Sequence, residues 1–72
     1  SLDQRLIFYL NNQFRTHESD ELRITHQDIA TDLNSSREVI SRLLKRMERE
    51  GMLELHRHAL VRKEMPSNQD IF

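Results

Sequence analysis

The chain has 72 residues with no cysteine, one glycine and one proline, and its 11 lysines and arginines nearly balance its 12 aspartates and glutamates. Such a length supports one small domain with a thin core, and no disulfide or thiolate zinc site can brace it. No apolar run approaches the roughly 20 residues of a membrane span and no signal-peptide pattern is present, so the expectation is a soluble, cytoplasmic protein with no membrane partner.

Gly51 and Pro66 are the only strong helix breakers, so the first 50 residues favour helix and a hairpin belongs after Gly51. Leu2, Leu6, Leu10 and Phe14 recur every four residues with Ile7 beside them, and Phe8 and Tyr9 broaden this apolar stripe of a first helix. Residues 15–21, with His17 among them, are polar and unpatterned and read as a loop. Leu22, Arg23 and Ile24 alternate as a very short strand would. Thr25 opens a second helix, where its hydroxyl can accept from a first-turn amide and Asp28 completes a capping box. Ile29, Ala30 and Leu33 form the inward face, and Asn34 tolerates the left-handed dihedrals of an abrupt stop.

Ser35 and Ser36 are both good N-caps, and Ser35 with Glu38 has capping-box spacing. The third helix runs from about 36 to 50. Its apolar face carries Val39, Ile40, Leu43, Leu44 and Met47, its other face Arg37, Glu38, Ser41, Arg42, Lys45 and Arg49, and Gly51 ends it. Residues 52–63 change period: Leu53 and Leu55 alternate with Glu54 and His56, then Leu60 and Val61 follow, the pattern of a short hairpin. Residues 1–63 form the domain, and residues 64–72 read as a loose, flexible tail in which Pro66 prevents any continuation of the hairpin.

Charge is unevenly spread despite the net −1. Residues 1–35 carry three basic side chains against six acidic ones, whereas residues 36–63 carry eight against four. Phosphates are met by a patch and not by a total, so a basic surface falls on the third helix and the hairpin. Two short helices joined by a three- or four-residue turn, the second polar on its outer face, make a helix-turn-helix. Ala30 is small where the helices would cross, Asn34 sits at the turn, and Ile40 would hold the second helix to the first. The expected fold is a three-helix winged helix-turn-helix, mostly α with a small β-hairpin wing.

Ile24-Thr25-His26-Gln27-Asp28-Ile29-Ala30, then Ser36-Arg37-Glu38-Val39-Ile40-Ser41-Arg42-Leu43-Leu44, then Glu50-Gly51-Met52-Leu53-Glu54-Leu55 resemble the C-terminal domain of Crp/Fnr transcription regulators. The likeness extends over about residues 2–63, and the run Ser36, Arg37, Glu38 and Arg42 is its most specific piece. It implies sequence-specific binding of double-stranded DNA. Carried over from family members with this run, Arg37 and Arg42 would read guanine, Glu38 would read cytosine on the opposite strand, and Ser41 lies beside them. The stereochemistry agrees, because a guanidinium fork matches guanine O6 and N7 and a carboxylate suits the cytosine amino donor. Gln27, Ser36, Lys45 and His56 match positions that hold the phosphate backbone. Thr25 joins them, as does His26, which stands where the family often has arginine. Asn34 replaces a usual glycine. Arg57 does so in the hairpin, which implies a longer or differently shaped wing turn and leaves contacts from Arg57 and His58 open.

The resemblance also implies a fragment that begins just after a dimerising helix. An N-terminal sensor domain and its effector would lie elsewhere, the intact protein would be a homodimer on a roughly palindromic site, and RNA polymerase would be a further partner. This domain itself requires no cofactor. Other readings are weighed against this one. Glu38 could serve only as a cap, Arg46 and Arg49 could form a solvated face or pair with Glu50, and Met47 and Met52 fill the core. His56 and His58 lack the third and fourth ligands of a zinc site. No nucleophile–base pair or phosphate loop marks an enzyme. The alternative function is a winged-helix protein–protein module that does not read bases.

Overall fold

The computed structural model describes residues 1–71, with Ile71 described by its backbone alone. Helix α1 (Leu2–Thr16) leads into a two-residue strand β1 (Glu21–Leu22), then α2 (His26–Asp32) and α3 (Arg37–Arg49). Strands β2 (Leu53–His56) and β3 (Ala59–Arg62) form the hairpin, and one helical turn, α4 (Asn68–Ile71), follows. All strand pairs are antiparallel in the order β1-β3-β2, with Leu22 opposite Leu60 and Leu55 opposite Leu60 on its other side. The architecture is mostly helical with a small three-stranded sheet, a winged helix-turn-helix as expected.

The apolar stripes meet in one core. Leu6, Leu10 and Phe14 come from α1, Ile29 and Ala30 from α2, Ile40, Leu44 and Met47 from α3, and Leu22, Leu53 and Leu60 from the strands. Ala30 and Ile40 are fully buried, as the close approach of α2 to α3 requires. Burying a leucine or isoleucine of this kind contributes about 1.5–3 kcal/mol each. Two polar ties hold α1 to the end of the α2 region: Arg5 Nη2 donates to the Leu33 carbonyl at 3.0 Å, and the Tyr9 hydroxyl donates to Asp32 Oδ2 at 2.5 Å.

Three helices end in the same way. The residue after each C-cap has a left-handed φ: Glu18 at 49°, Asn34 at 55° and Gly51 at 81°. Amides of Ser19, Ser35 and Met52 donate to carbonyls of Phe14, Ala30 and Met47, while those of Glu18, Asn34 and Gly51 donate to Arg15, Thr31 and Glu48. These paired bonds are Schellman motifs, which satisfy carbonyls the helix itself leaves open. Because α1 closes at Glu18, it runs through Thr16 and takes in the first two residues of the expected loop at 15–21.

Four further expectations shift. The first strand is Glu21–Leu22 and not residues 22–24, because β3 offers Val61 and Leu60 as partners and Arg62 N–H bonds the Asp20 carbonyl just before it. Ser35 does not cap α3, since its amide is spent closing α2. Ser36 is the N-cap, its Oγ accepting from Val39 N–H at 3.2 Å, and the Ser35–Glu38 capping box does not form. The wing turn is short: only Arg57 and His58 separate the strands, and the left-handed φ falls on His58 at 59°, not on Arg57. Histidine enters that region several-fold more readily than most residues. Finally, the segment after β3 contacts α1, with Asn11 Nδ2 donating to the Pro66 carbonyl at 2.7 Å and to Asn68 Oδ1 at 3.0 Å.

Candidate nucleic-acid interface

Thr25 and Ser36 start the two helices of the motif. Thr25 Oγ1 accepts from Asp28 N–H at 3.0 Å and Asp28 Oδ2 accepts from Thr25 N–H at 3.2 Å, the capping box expected from the sequence. These bonds hold the Asp28 carboxyl below its ordinary range, the backbone bond from Thr25 first. Each capping hydroxyl keeps its own hydrogen, so Thr25 and Ser36 can still donate to an anion.

Successive helix residues are about 100° apart, so Arg37, Ser41, Lys45, Glu38, Arg49 and Arg42 follow one another around an arc of roughly 140° on α3. The opposite side carries Ile40, Leu44 and Met47 into the core. Arg37, Glu38, Arg42, Lys45 and Arg49 are exposed, and Ser41 is half-buried.

The cations of the chain divide into two sets. Arg46 pairs with Asp3 and not with Glu50; Arg62 pairs with Asp20 and lies over the Phe14 ring at 5.5 Å; Lys63 pairs with Glu54 and Arg23 with Glu21. Arg5 bonds the Leu33 carbonyl and Arg15 bonds Asn12. Arg37, Arg42, Lys45, Arg49 and Arg57 have no such partner among the described residues, and neither does Glu38. Four of these five cations lie on the outer arc of α3 and the fifth at the wing turn. The other acidic side chain within that arc, Glu48, is committed elsewhere: its Oε2 accepts from Leu55 N–H at 2.8 Å on the outer edge of β2.

Between α2, α3 and the wing runs a cleft lined by Ile24, Thr25, His26, Gln27, Arg37, His56 and His58. The structure thus gathers Thr25, His26, Gln27 and His56 beside Arg37, whereas Glu38, Arg42 and Lys45 follow the exposed arc. Within the cleft His26 Nδ1 and Ser41 Oγ share a hydrogen bond of 2.7 Å. Burial, then the charges of Arg37 and Lys45, holds His26 below the ordinary imidazole value. Gln27 Nε2 donates to Thr31 Oγ1 at 3.3 Å. His56 Nε2 lies 3.1 Å from Glu54 Oε1, and that bond, followed by Lys63, lowers the Glu54 carboxyl.

Sequence reasoning missed the His26–Ser41 and Asp3–Arg46 pairs, because their partners are 15 and 43 residues apart and no periodicity links them. The Glu54–His56 pair was within reach, since residues two apart share one face of a strand. Among the described residues no three His, Cys, Asp or Glu side chains gather as metal ligands would, and no helix is long and apolar enough to cross a membrane.

Comparison with known proteins adds family context to this geometry. Residues 4–65 match the model of the Crp-like helix-turn-helix domain. A solved structure described as a transcriptional regulator of the Crp/Fnr family from Eubacterium rectale is 34% identical and superposes with a TM-score of 0.92, over 99% of this chain and 33% of that one. The catabolite activator protein of Thermus thermophilus is 25% identical with a TM-score of 0.84, over 96% of this chain and 32% of that one. The chain therefore spans about a third of the length of both. No curated protein sequence matches it.

Proposed function

The chain belongs to the Crp-like helix-turn-helix domains, a DNA-binding and non-enzymatic family, and from that premise we propose that it reads a specific duplex sequence with α3 in the major groove. The observation that supports this most is the sorting of the cations. Arg37, Arg42, Lys45 and Arg49 share the exposed arc of α3 with no partner among the described residues, while Arg46, just outside that arc, is neutralised by Asp3. Unneutralised cations on one helix face are the electrostatic footprint of a polyanion.

In this reading Arg37 and Arg42 donate in pairs to guanine O6 and N7, Glu38 accepts from a cytosine amino group, and Ser41 faces the bases between them. Each correct pair discriminates by about 1–3 kcal/mol. Thr25, His26, Gln27, Ser36, Lys45 and His56 hold phosphates on either side. For His56 this means exchanging Glu54 for the backbone. Residues 1–63 form the reading unit and residues 64–72 its tail. The unit serves a cytoplasmic transcription regulator that acts as a homodimer on two half-sites, with RNA polymerase as a further partner.

Selection from random duplexes tests the reading. An enriched TGTGA-like half-site is expected, and a pool without any enriched sequence would sink it.

A further inference from the structure

The bond between His26 and Ser41 is a feature of the interface that the roles above leave unused. We propose that His26 is a positioning residue that decides whether Ser41 offers the major groove a hydrogen or a lone pair. The proposal rests on the reading that α3 lies in the groove.

The chemistry follows from counting hydrogens. A serine hydroxyl has one hydrogen and two lone pairs, and an imidazole Nδ1 is an acceptor or a donor according to its protonation. When the ring is uncharged with its hydrogen on Nε2, the Ser41 hydroxyl donates to Nδ1 across the 2.7 Å contact. Only lone pairs then remain for a base, and these suit the amino groups of cytosine or adenine. When the ring is charged, Nδ1–H donates to Ser41 Oγ. The serine hydrogen is released, and it suits guanine O6, purine N7 or thymine O4.

The surroundings determine which state prevails. Arg37 and Lys45 face the ring from α3, and His56 and His58 line the same cleft from the wing. On its own helix the neighbours in the cleft, Thr25 and Gln27, are neutral, and Asp28 is engaged by the Thr25 cap. Burial and the two cations keep His26 uncharged at neutral pH in the free chain. A duplex neutralises those cations and brings phosphates to the cleft, which favours the charged ring. Binding then takes up a proton, and affinity rises as pH falls, by up to about tenfold per pH unit for one proton.

The test is selection from random duplexes by the chain displayed densely on beads, at about pH 5.5 and about pH 8. At the base pair opposite Ser41, several-fold enrichment of a hydrogen-bond acceptor is expected at the lower pH and of an amino donor at the higher. Ser41→Ala should abolish preference at that position at both values. His26→Gln should make the preference independent of pH. His56→Gln should weaken binding yet keep the shift. A native preference identical at both pH values, or a shift that survives in His26→Gln, would overturn the proposal while leaving groove reading intact. Failure to select any sequence would overturn both.

Discussion

Individual side chains of the outer arc divide by what they are free to do. Arg42 and Lys45 are three residues apart, both exposed and both without a partner among the described residues, yet the proposed reading gives them different work. A guanidinium fork distinguishes guanine from other bases, whereas an ammonium is a point charge that any phosphate satisfies. Arg42→Ala should therefore cost about 1–3 kcal/mol on the best site and much less on others, which competition with single-base variants would show. Lys45→Ala should weaken all sequences alike and lower the slope of log affinity against log salt by about one. Arg46 supplies the internal comparison. It neighbours Lys45 but is tied to Asp3, so Arg46→Ala should leave base preference and salt slope unchanged. Because that pair is half exposed, its loss should cost less than about 1 kcal/mol in stability.

At the scale of elements, the turn that ends α3 depends on backbone conformation more than on contact. A Cβ added at Gly51 would meet nothing within 4 Å, so the cost of Gly51→Ala is the left-handed φ of 81° alone. That cost is about 1–2 kcal/mol, which a thermal melt of a domain this size would register as a drop of several degrees. The α2 cap adds a pH dependence. Asp28 has its folded-state value lowered by its bonds to Thr25, so its contribution is present above the ordinary carboxylate range and is lost as pH falls through the lowered value. Asp28→Ala should flatten the acid limb of melting temperature against pH. These features also show what the sequence reveals. Asn34 and Gly51 announce left-handed turns, but Glu18 adopts one with no such signature. Ser35 and Ser36 are equivalent as caps until the closing bonds of α2 take the Ser35 amide. Amphipathic stripes locate helices because burial is periodic. Pairs such as Asn11–Asn68 depend on topology and stay hidden until α4 meets α1.

For the molecule as a whole, size limits how two copies can share one site. The principal extents are 26 × 26 × 24 Å, less than the roughly 34–36 Å that separates half-sites one helical turn apart. Two copies can therefore sit on the same face of a duplex without overlap. The footprint of each is small, and the residues proposed to hold phosphates are few, so a single copy should bind loosely. Joining two copies by a flexible linker long enough to span the half-sites turns the second contact into an intramolecular one. The gain should be about 10²–10⁴-fold with no new protein–DNA contact. Inserting about five base pairs between half-sites moves one of them to the opposite face of the duplex and should abolish most of that gain. Titration of linked and single chains against the two spacings decides the matter. Equal affinity for both spacings would mean that the copies do not engage the duplex together, and a single chain as tight as the linked pair would mean that one footprint is enough.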